Sequence, residues 1–258
     1  MNQATAVPTD GFAYVGPNRI HFVEQGEGRP VLLIHGAYGS GSEFLARNIG
    51  KTLAQRYRVL APDSLAHGDS DAPEDAAFYS ARARASHLAA VLDAVEIEQA
   101  HVIGYSMGGW MASAFATFHP DRVASLAIGG WDVVRGMYTP AAAWGLPMVT
   151  SQILNDMVRR DRPDLIAWLR PENEPGLCAA IDGMNDLEGL ADGVARCPAP
   201  TVLWIGREDL YYDAVAGFAA VNALPVIDLP GDHMVMLEEH GAEAGRRIID
   251  FIETNAGA

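Results

Sequence analysis

The stretch His101-Val102-Ile103-Gly104-Tyr105-Ser106-Met107-Gly108-Gly109, followed by an apolar segment that ends at Pro120, decides the architecture of this chain. An apolar run meets a glycine-flanked serine and then a helix-like segment, so the stretch reads as strand, tight turn and helix. In that setting Gly-x-Ser-x-Gly has a mechanical meaning. The turn forces the serine backbone into a strained conformation, and neighbours without side chains make room for it. Gly104 and Gly108 supply the room, so Ser106 is expected to stand exposed at the carboxyl end of a strand. The amide of Met107 falls at a helix N-terminus, where an unpaired N–H can face a developing oxyanion. Ser106 is therefore read as a nucleophile. The five-residue pattern alone would equally fit a structural turn; the strand before it and the helix after it favour chemistry.

Strand and helix alternate on both sides of this stretch. Upstream, Phe12, Tyr14, Val15, Ile20, Phe22 and Val23 around Gly16-Pro17-Asn18 predict a hairpin. Pro30-Val31-Leu32-Leu33-Ile34 is a continuous apolar run, as a strand covered on both faces requires, and it ends in the glycine-rich loop from His35 to Gly41. A helix is expected over 42–56, a strand over 57–61, a loop over 62–70 and a helix near 80–95. Downstream, Val123 to Ile128 gives another strand.

The alternation then stops. Residues 131–198 hold helix-like stretches around 141–160, 165–169 and 178–194, broken by Pro140, Pro147, Pro163, Pro171 and Pro175. They read as a helical lid inserted between core segments 1–130 and 199–258. The sheet resumes at 201–205, followed by a helix over 211–222, a strand over 225–228 and a last helix over 241–253. The expected class is α/β: a mostly parallel eight-stranded sheet flanked by helices, with a helical insertion.

Composition narrows the partners. Among 258 residues, 18 lysines and arginines stand against 33 aspartates and glutamates, a formal charge of −15 that repels phosphate backbones and anionic lipid. Nucleic acid and membrane are not expected as partners; a small-molecule substrate is. The first residues lack a basic region followed by an apolar core, and no apolar stretch is long enough to cross a bilayer. The two cysteines, Cys178 and Cys197, make no disulfide framework, which with the missing leader leads to the expectation of a cytoplasmic protein.

A serine hydroxyl is a poor nucleophile at neutral pH and needs a base and a carboxylate that orients the base. His233 follows the last predicted strand in the loop Gly231-Asp232-His233, and imidazole transfers protons both ways near neutrality. Asp209 follows the preceding strand, so both side chains would emerge at the sheet edge that carries Ser106. Glu208, Asp213 and Asp132 compete with Asp209. The other histidines considered, His21, His87, His101, His119 and His240, lie in or beside predicted elements, where a structural role is the simpler one.

Rival motifs are weaker. Asp63, His67, Asp69 and Asp71 lack the paired spacing that holds zinc, so no metal is expected. Gly36-x-x-Gly39-x-Gly41 has the dinucleotide spacing reversed, and Gly50-Lys51-Thr52 lacks the glycine that a phosphate loop needs at position 45. No cofactor is expected.

These features together resemble the α/β-hydrolase superfamily over residues 12 to 253. The matching residues are His35-Gly36 after a buried strand, Asp63 to Ser70 with its His67-Gly68, the elbow at Ser106, Asp209 behind the lid and Gly231-Asp232-His233. The order Ser, Asp, His is that superfamily's order. The resemblance implies a second oxyanion donor, the amide of Ala37, facing that of Met107; it implies that His35 braces its loop and that His67 is structural. The Ser-Met-Gly-Gly ending is similar to small esterases, enol-lactonases, cofactor-free haloperoxidase-like enzymes and hydrolases of carbon–carbon bonds in ring-fission products.

Apolar bulk in the lid suggests a hydrophobic pocket. Trp131, Met137, Tyr138 and Trp144, with Tyr38 and Met234, are the candidates for its walls. The expected activity is hydrolysis of a small to medium, largely hydrophobic carboxylic ester or lactone through an acyl-enzyme. The alternative is carbon–carbon hydrolysis of a diketo acid, for which Arg135, Arg159, Arg160 or Arg207 would meet the carboxylate. A third reading is a ligand-binding protein that keeps the fold without catalysis.

Overall fold

Eight strands form one sheet in the computed structural model, which describes residues 7–255. They are β1 (Thr9–Val15), β2 (Asn18–Gln25), β3 (Pro30–Ile34), β4 (Arg58–Pro62), β5 (Ala100–Tyr105), β6 (Val123–Gly129), β7 (Thr201–Gly206) and β8 (Val226–Leu229). The spatial order is β1-β2-β4-β3-β5-β6-β7-β8. β1 pairs antiparallel with β2, and β2 with β4; the remaining pairs are parallel.

The parallel strands alternate their apolar residues between two cores because successive side chains point to opposite faces. Leu32, Ile34, Val102, Leu126, Ile128, Leu203 and Ile205 face one core, which the helices Ala81–Ala94, Met107–Phe118 and Tyr212–Asn222 cover. Val31, Leu33, Ile103, Ala127, Val202 and Trp204 face the other, under Gly41–Ala46, Asn48–Leu53 and Val235–Asn255. Burial on both faces is why these runs read as unbroken apolar segments.

The chain reverses direction of growth at β3: β4 is laid down on one side of it and β5 on the other. The carboxyl ends of β3 and β5 therefore diverge into loops that leave a crevice between them, the place where an open α/β sheet binds ligands. His35 follows β3 and Ser106 follows β5.

Some boundaries differ from expectation for local reasons. The helix expected over 42–56 is two, Gly41–Ala46 and Asn48–Leu53, because Arg47 turns extended with ψ 162°. The one expected around 141–160 is likewise two, Tyr138–Ala143 and Ser151–Asp161, separated at Gly145, whose φ is +69°, and Pro147. The final helix starts at Val235, six residues early. Its Gly241 and Gly245 lower helix propensity but let it pack close to Ile49 and Thr52; a Cβ placed on Gly245 would lie 3.1 Å from Thr52 Cβ. Residues 131–198 contain no strand, and their last helix, Leu190–Ala195, lies against the elbow helix, where a Cβ on Gly193 would meet Thr117. No helix among the described residues is long and apolar enough to cross a membrane.

Buried histidines make stability depend on pH. Burial, aided by the Arg84 charge, drives His87 down to about 3, and burial drives His101 down to about 4. The folded chain thus refuses protons that the unfolded chain accepts below about pH 6.5, so this contribution is whole above 6.5 and is lost as the pH falls toward the folded values. His87 Nδ1 has no hydrogen-bond partner. His87→Leu is expected to flatten the loss of stability between pH 6.5 and 5 by up to about 1.4 kcal/mol per pH unit, read from urea unfolding at several pH values. An unchanged slope would show that His87 is not held neutral.

Candidate active site

Ser106 sits between β5 and the helix Met107–Phe118 with φ 58° and ψ −119°, a left-handed conformation for a residue with a side chain. The flanking glycines are steric necessities. A Cβ on Gly104 would lie 2.0 Å from the Gly108 carbonyl oxygen, and one on Gly108 would lie 2.1 Å from the Ile34 oxygen. The Ser106 amide donates to Gly129 O at 2.8 Å, and its carbonyl accepts the first helical bond from Trp110. Such backbone strain costs on the order of 1–3 kcal/mol and is held by these bonds and the close strand packing. Met107 opens the helix, so its N–H belongs to the unpaired first turn while its side chain is wholly buried.

His233 Nδ1 lies 2.7 Å from Asp209 Oδ2. An ionised carboxylate only accepts, so the proton is on Nδ1 and Nε2 is left as the basic nitrogen. Asp209 is buried, its side chain 1 % exposed, and its second oxygen accepts the Tyr211 amide at 3.0 Å. The rival carboxylates are engaged elsewhere. Asp132 caps the start of the 131–198 segment through the amides of Val134 and Arg135 and the Thr139 hydroxyl; Glu208 accepts the Gly231 amide; Asp213 is exposed.

Ser106 and His233 line one cavity of about 290 Å³, together with His35, Gly36, Ala37, Tyr38 and Met234. The loop after β3 lies directly over the serine: a Cβ on Gly36 would stand 3.3 Å from Ser106 Cβ. Gly36 to Gly39 form a turn closed by Gly39 N–H to Gly36 O at 3.2 Å, which leaves the Ala37 amide outside the turn's own bond. Tyr38 takes φ +64° in it, a position that turns of this kind usually give to glycine. His35 is fully buried and braces the loop. Its Nδ1 donates to Gly36 O at 2.7 Å, and its Nε2 accepts the Ser64 amide at 3.0 Å. Burial keeps His35 and its neighbour His67 neutral by lowering both.

The loop over residues 62–70 turns out to be a clamp. Asp63 accepts the amides of Gly41 and Asp69 and bonds the His21 ring at 2.8 Å; Asp10 bonds the other ring nitrogen at 3.0 Å. Burial pulls His21 down, but the two carboxylates outweigh it and raise it. His21, Asp63 and Asp69 come within 4.8 Å of one another, whereas His67 and Asp71 do not join them. The Asp63 oxygens are already engaged, so the group pins the loop beneath the site.

Four expected pocket residues lie elsewhere. Trp131, Met137, Tyr138 and Trp144 do not line the cavity. Trp131 is buried against Tyr211 with ring centroids 5.8 Å apart, and Met137 Sδ accepts the Tyr211 hydroxyl at 3.5 Å. Tyr138 and Trp144 are exposed. The opening of the 131–198 segment is fastened to the core there, so the cavity lies instead beneath the helix Ser151–Asp161. Leu154, Met157 and Val158 of that helix line it, with Leu165, Phe44 and Leu237. The i, i+3, i+4 spacing of the first three was the signal available in the sequence. Tyr105, the variable residue of the elbow, was also missed. Its ring lies 5.0 Å from His233 and its hydroxyl donates to His233 O at 2.7 Å. Burial, with Asp209 and Asp232 nearby, keeps it an un-ionised phenol.

The cavity's charged side chains are paired. Arg47 meets Glu43 at 2.6 Å; Arg162 meets Asp164 at 2.9 Å and Glu238 at 3.3 Å; Asp161 meets Arg160 at 2.6 Å.

An elbow serine, a histidine–aspartate pair and a two-loop crevice on this sheet define the serine-hydrolase type of α/β protein. The chain belongs to the α/β-hydrolase fold family, whose model matches residues 29–150. It is 35 % identical to the 2-hydroxymuconate semialdehyde hydrolase of Pseudomonas sp. (strain CF600) over 93 % of each chain, and 32 % identical to the enzyme of that name from Pseudomonas putida over 80 % of each. Among solved structures it resembles a meta-cleavage product hydrolase from Pseudomonas fluorescens IP01, with TM-score 0.73, 24 % identity and 95 % and 97 % coverage of the two chains.

Proposed function

We propose that this chain is a serine-triad hydrolase that cleaves the carbon–carbon bond beside a ketone in a ring-fission diketo acid. The near-full-length likeness to two 2-hydroxymuconate semialdehyde hydrolases carries the choice of bond. Ser106 and His233 line one cavity, and Asp209 bonds His233 from behind it, which supports the route. Ser106 Oγ adds to the carbonyl carbon as His233 Nε2 takes its proton, and the imidazolium that forms is held by Asp209. The amides of Ala37 and Met107 meet the oxyanion. On collapse the C–C bond breaks, and its electron pair leaves on a carbon conjugated to the second carbonyl as a dienolate, which the imidazolium proton neutralises. Water, deprotonated by His233, then releases the acid from Ser106. Without that conjugation a carbanion would not leave, so the substrate must be vinylogous.

Esters are the second reading, and one observation favours it. Arg47 and Arg162, the cavity's arginines, are each neutralised by the chain's own carboxylates. Arg135, Arg159, Arg160 and Arg207 do not line the cavity. A largely apolar cavity without a spare cation suits a neutral acyl group. A yellow ring-fission substrate and p-nitrophenyl esters from C2 to C12, assayed side by side, separate the two. Loss of the ring-fission chromophore well above the ester rate is expected; esters turned over with that chromophore intact would overturn the C–C reading. Failure of a fluorophosphonate to label the protein would sink the triad itself and leave the non-catalytic binder.

A further inference from the structure

The turn that carries Ala37 is clamped from two sides. On the core side His35 holds the Gly36 carbonyl. On the other side the contacts come from residues 131–198 and both fall on Tyr38. Its hydroxyl donates to Asn155 Oδ1 at 2.6 Å, and its carbonyl accepts the Trp168 indole N–H at 2.8 Å. Asn155 is 1 % exposed, and its amide donates to Cys178 Sγ at 3.4 Å. Trp168 also lies against the ring of His67, 5.7 Å between centroids.

We infer that Asn155 and Trp168 are positioning residues that aim the Ala37 amide at the oxyanion, so that the helical segment completes the oxyanion hole as well as roofing the cavity. The inference rests on the triad reading and deepens it. Tyr38 at φ +64° is in a conformation that a tyrosine adopts only when its surroundings impose it. The two bonds grip the residue at opposite ends, phenol and backbone carbonyl. Releasing either lets Tyr38 relax toward negative φ, which opens the Gly36–Gly39 turn and swings the amide next to it. Packing alone would need neither polar bond.

Three variants test this: Trp168→Phe, which deletes the N–H and keeps a ring beside His67; Asn155→Leu, which deletes the acceptor at similar volume; and Tyr38→Phe. Each is expected to lower kcat on the order of tenfold to a hundredfold with KM nearly unchanged. Affinity for an aryl boronic acid, which becomes tetrahedral on Ser106 and places an oxygen in the hole, should fall by the same factor. Tyr38→Phe combined with Asn155→Leu should be no worse than either alone, because both break one bond. Variants that lose only melting temperature, while keeping kcat and boronate affinity, overturn the inference and leave the triad standing. A wild-type protein that neither binds the boronate nor reacts with a fluorophosphonate overturns the triad reading, and this inference with it.

Discussion

Ser106→Ala is expected to lower hydrolysis by at least about 10⁴-fold while the protein still folds, since alanine occupies the elbow conformation as serine does. The hydroxyl stands at the end of β5, at the crevice between β3 and β5, with the His233 imidazole lining the same cavity. What remains after its loss is the contribution of the oxyanion donors and of substrate binding. Steady-state rates on the ring-fission substrate and on p-nitrophenyl acetate, with fluorophosphonate labelling alongside, read the effect. A variant that hydrolyses either substrate at the wild-type rate would remove the covalent route.

Asp209→Asn should cost nearly as much, about 10³- to 10⁴-fold in kcat, although it changes a single atom. The carboxylate at 2.7 Å holds the proton on His233 Nδ1. An amide placed there can turn its NH₂ toward the ring and favour the other tautomer, in which Nε2 carries the proton and cannot take one from serine. Asp213→Asn, on the exposed start of the next helix, is the matched control and should leave the rate within about twofold, as surface substitutions usually do. Equal losses from both variants would mean that the effect is one of overall charge rather than tautomer.

The sheet was legible because its signals are local. Buried parallel strands read as unbroken apolar runs at 30–34, 123–128 and 201–205, and each is a strand in the structure to within a residue. The elbow was equally local: five consecutive residues specify a turn in which a Cβ on either glycine would come within 2.1 Å of backbone. Asp209 and His233 could be chosen by their place after successive strands, and they meet. Helix breaks were harder to see. Arg47 carries no proline or glycine signal, and the last helix was expected from 241, whereas it starts at Val235 and is sustained through Gly241 and Gly245 by close packing on Ile49 and Thr52.

The walls of the cavity belong to a different category. Apolar residues of 131–198 were visible in the sequence, but which of them face the substrate depends on how the segment lies on the core. That is set by contacts far apart in the chain: Met137 with Tyr211, Tyr38 with Asn155 and Trp168. The amino-acid order alone thus determined the α/β class and the strained serine, and it singled out the histidine and aspartate that meet, because strand periodicity, turn sterics and side-chain chemistry act over a few residues. Only the folded molecule decided that the helix Ser151–Asp161, rather than the tryptophans before it, roofs the site, because burying Trp131 against Tyr211 and leaving Trp144 at the surface is a property of the whole core.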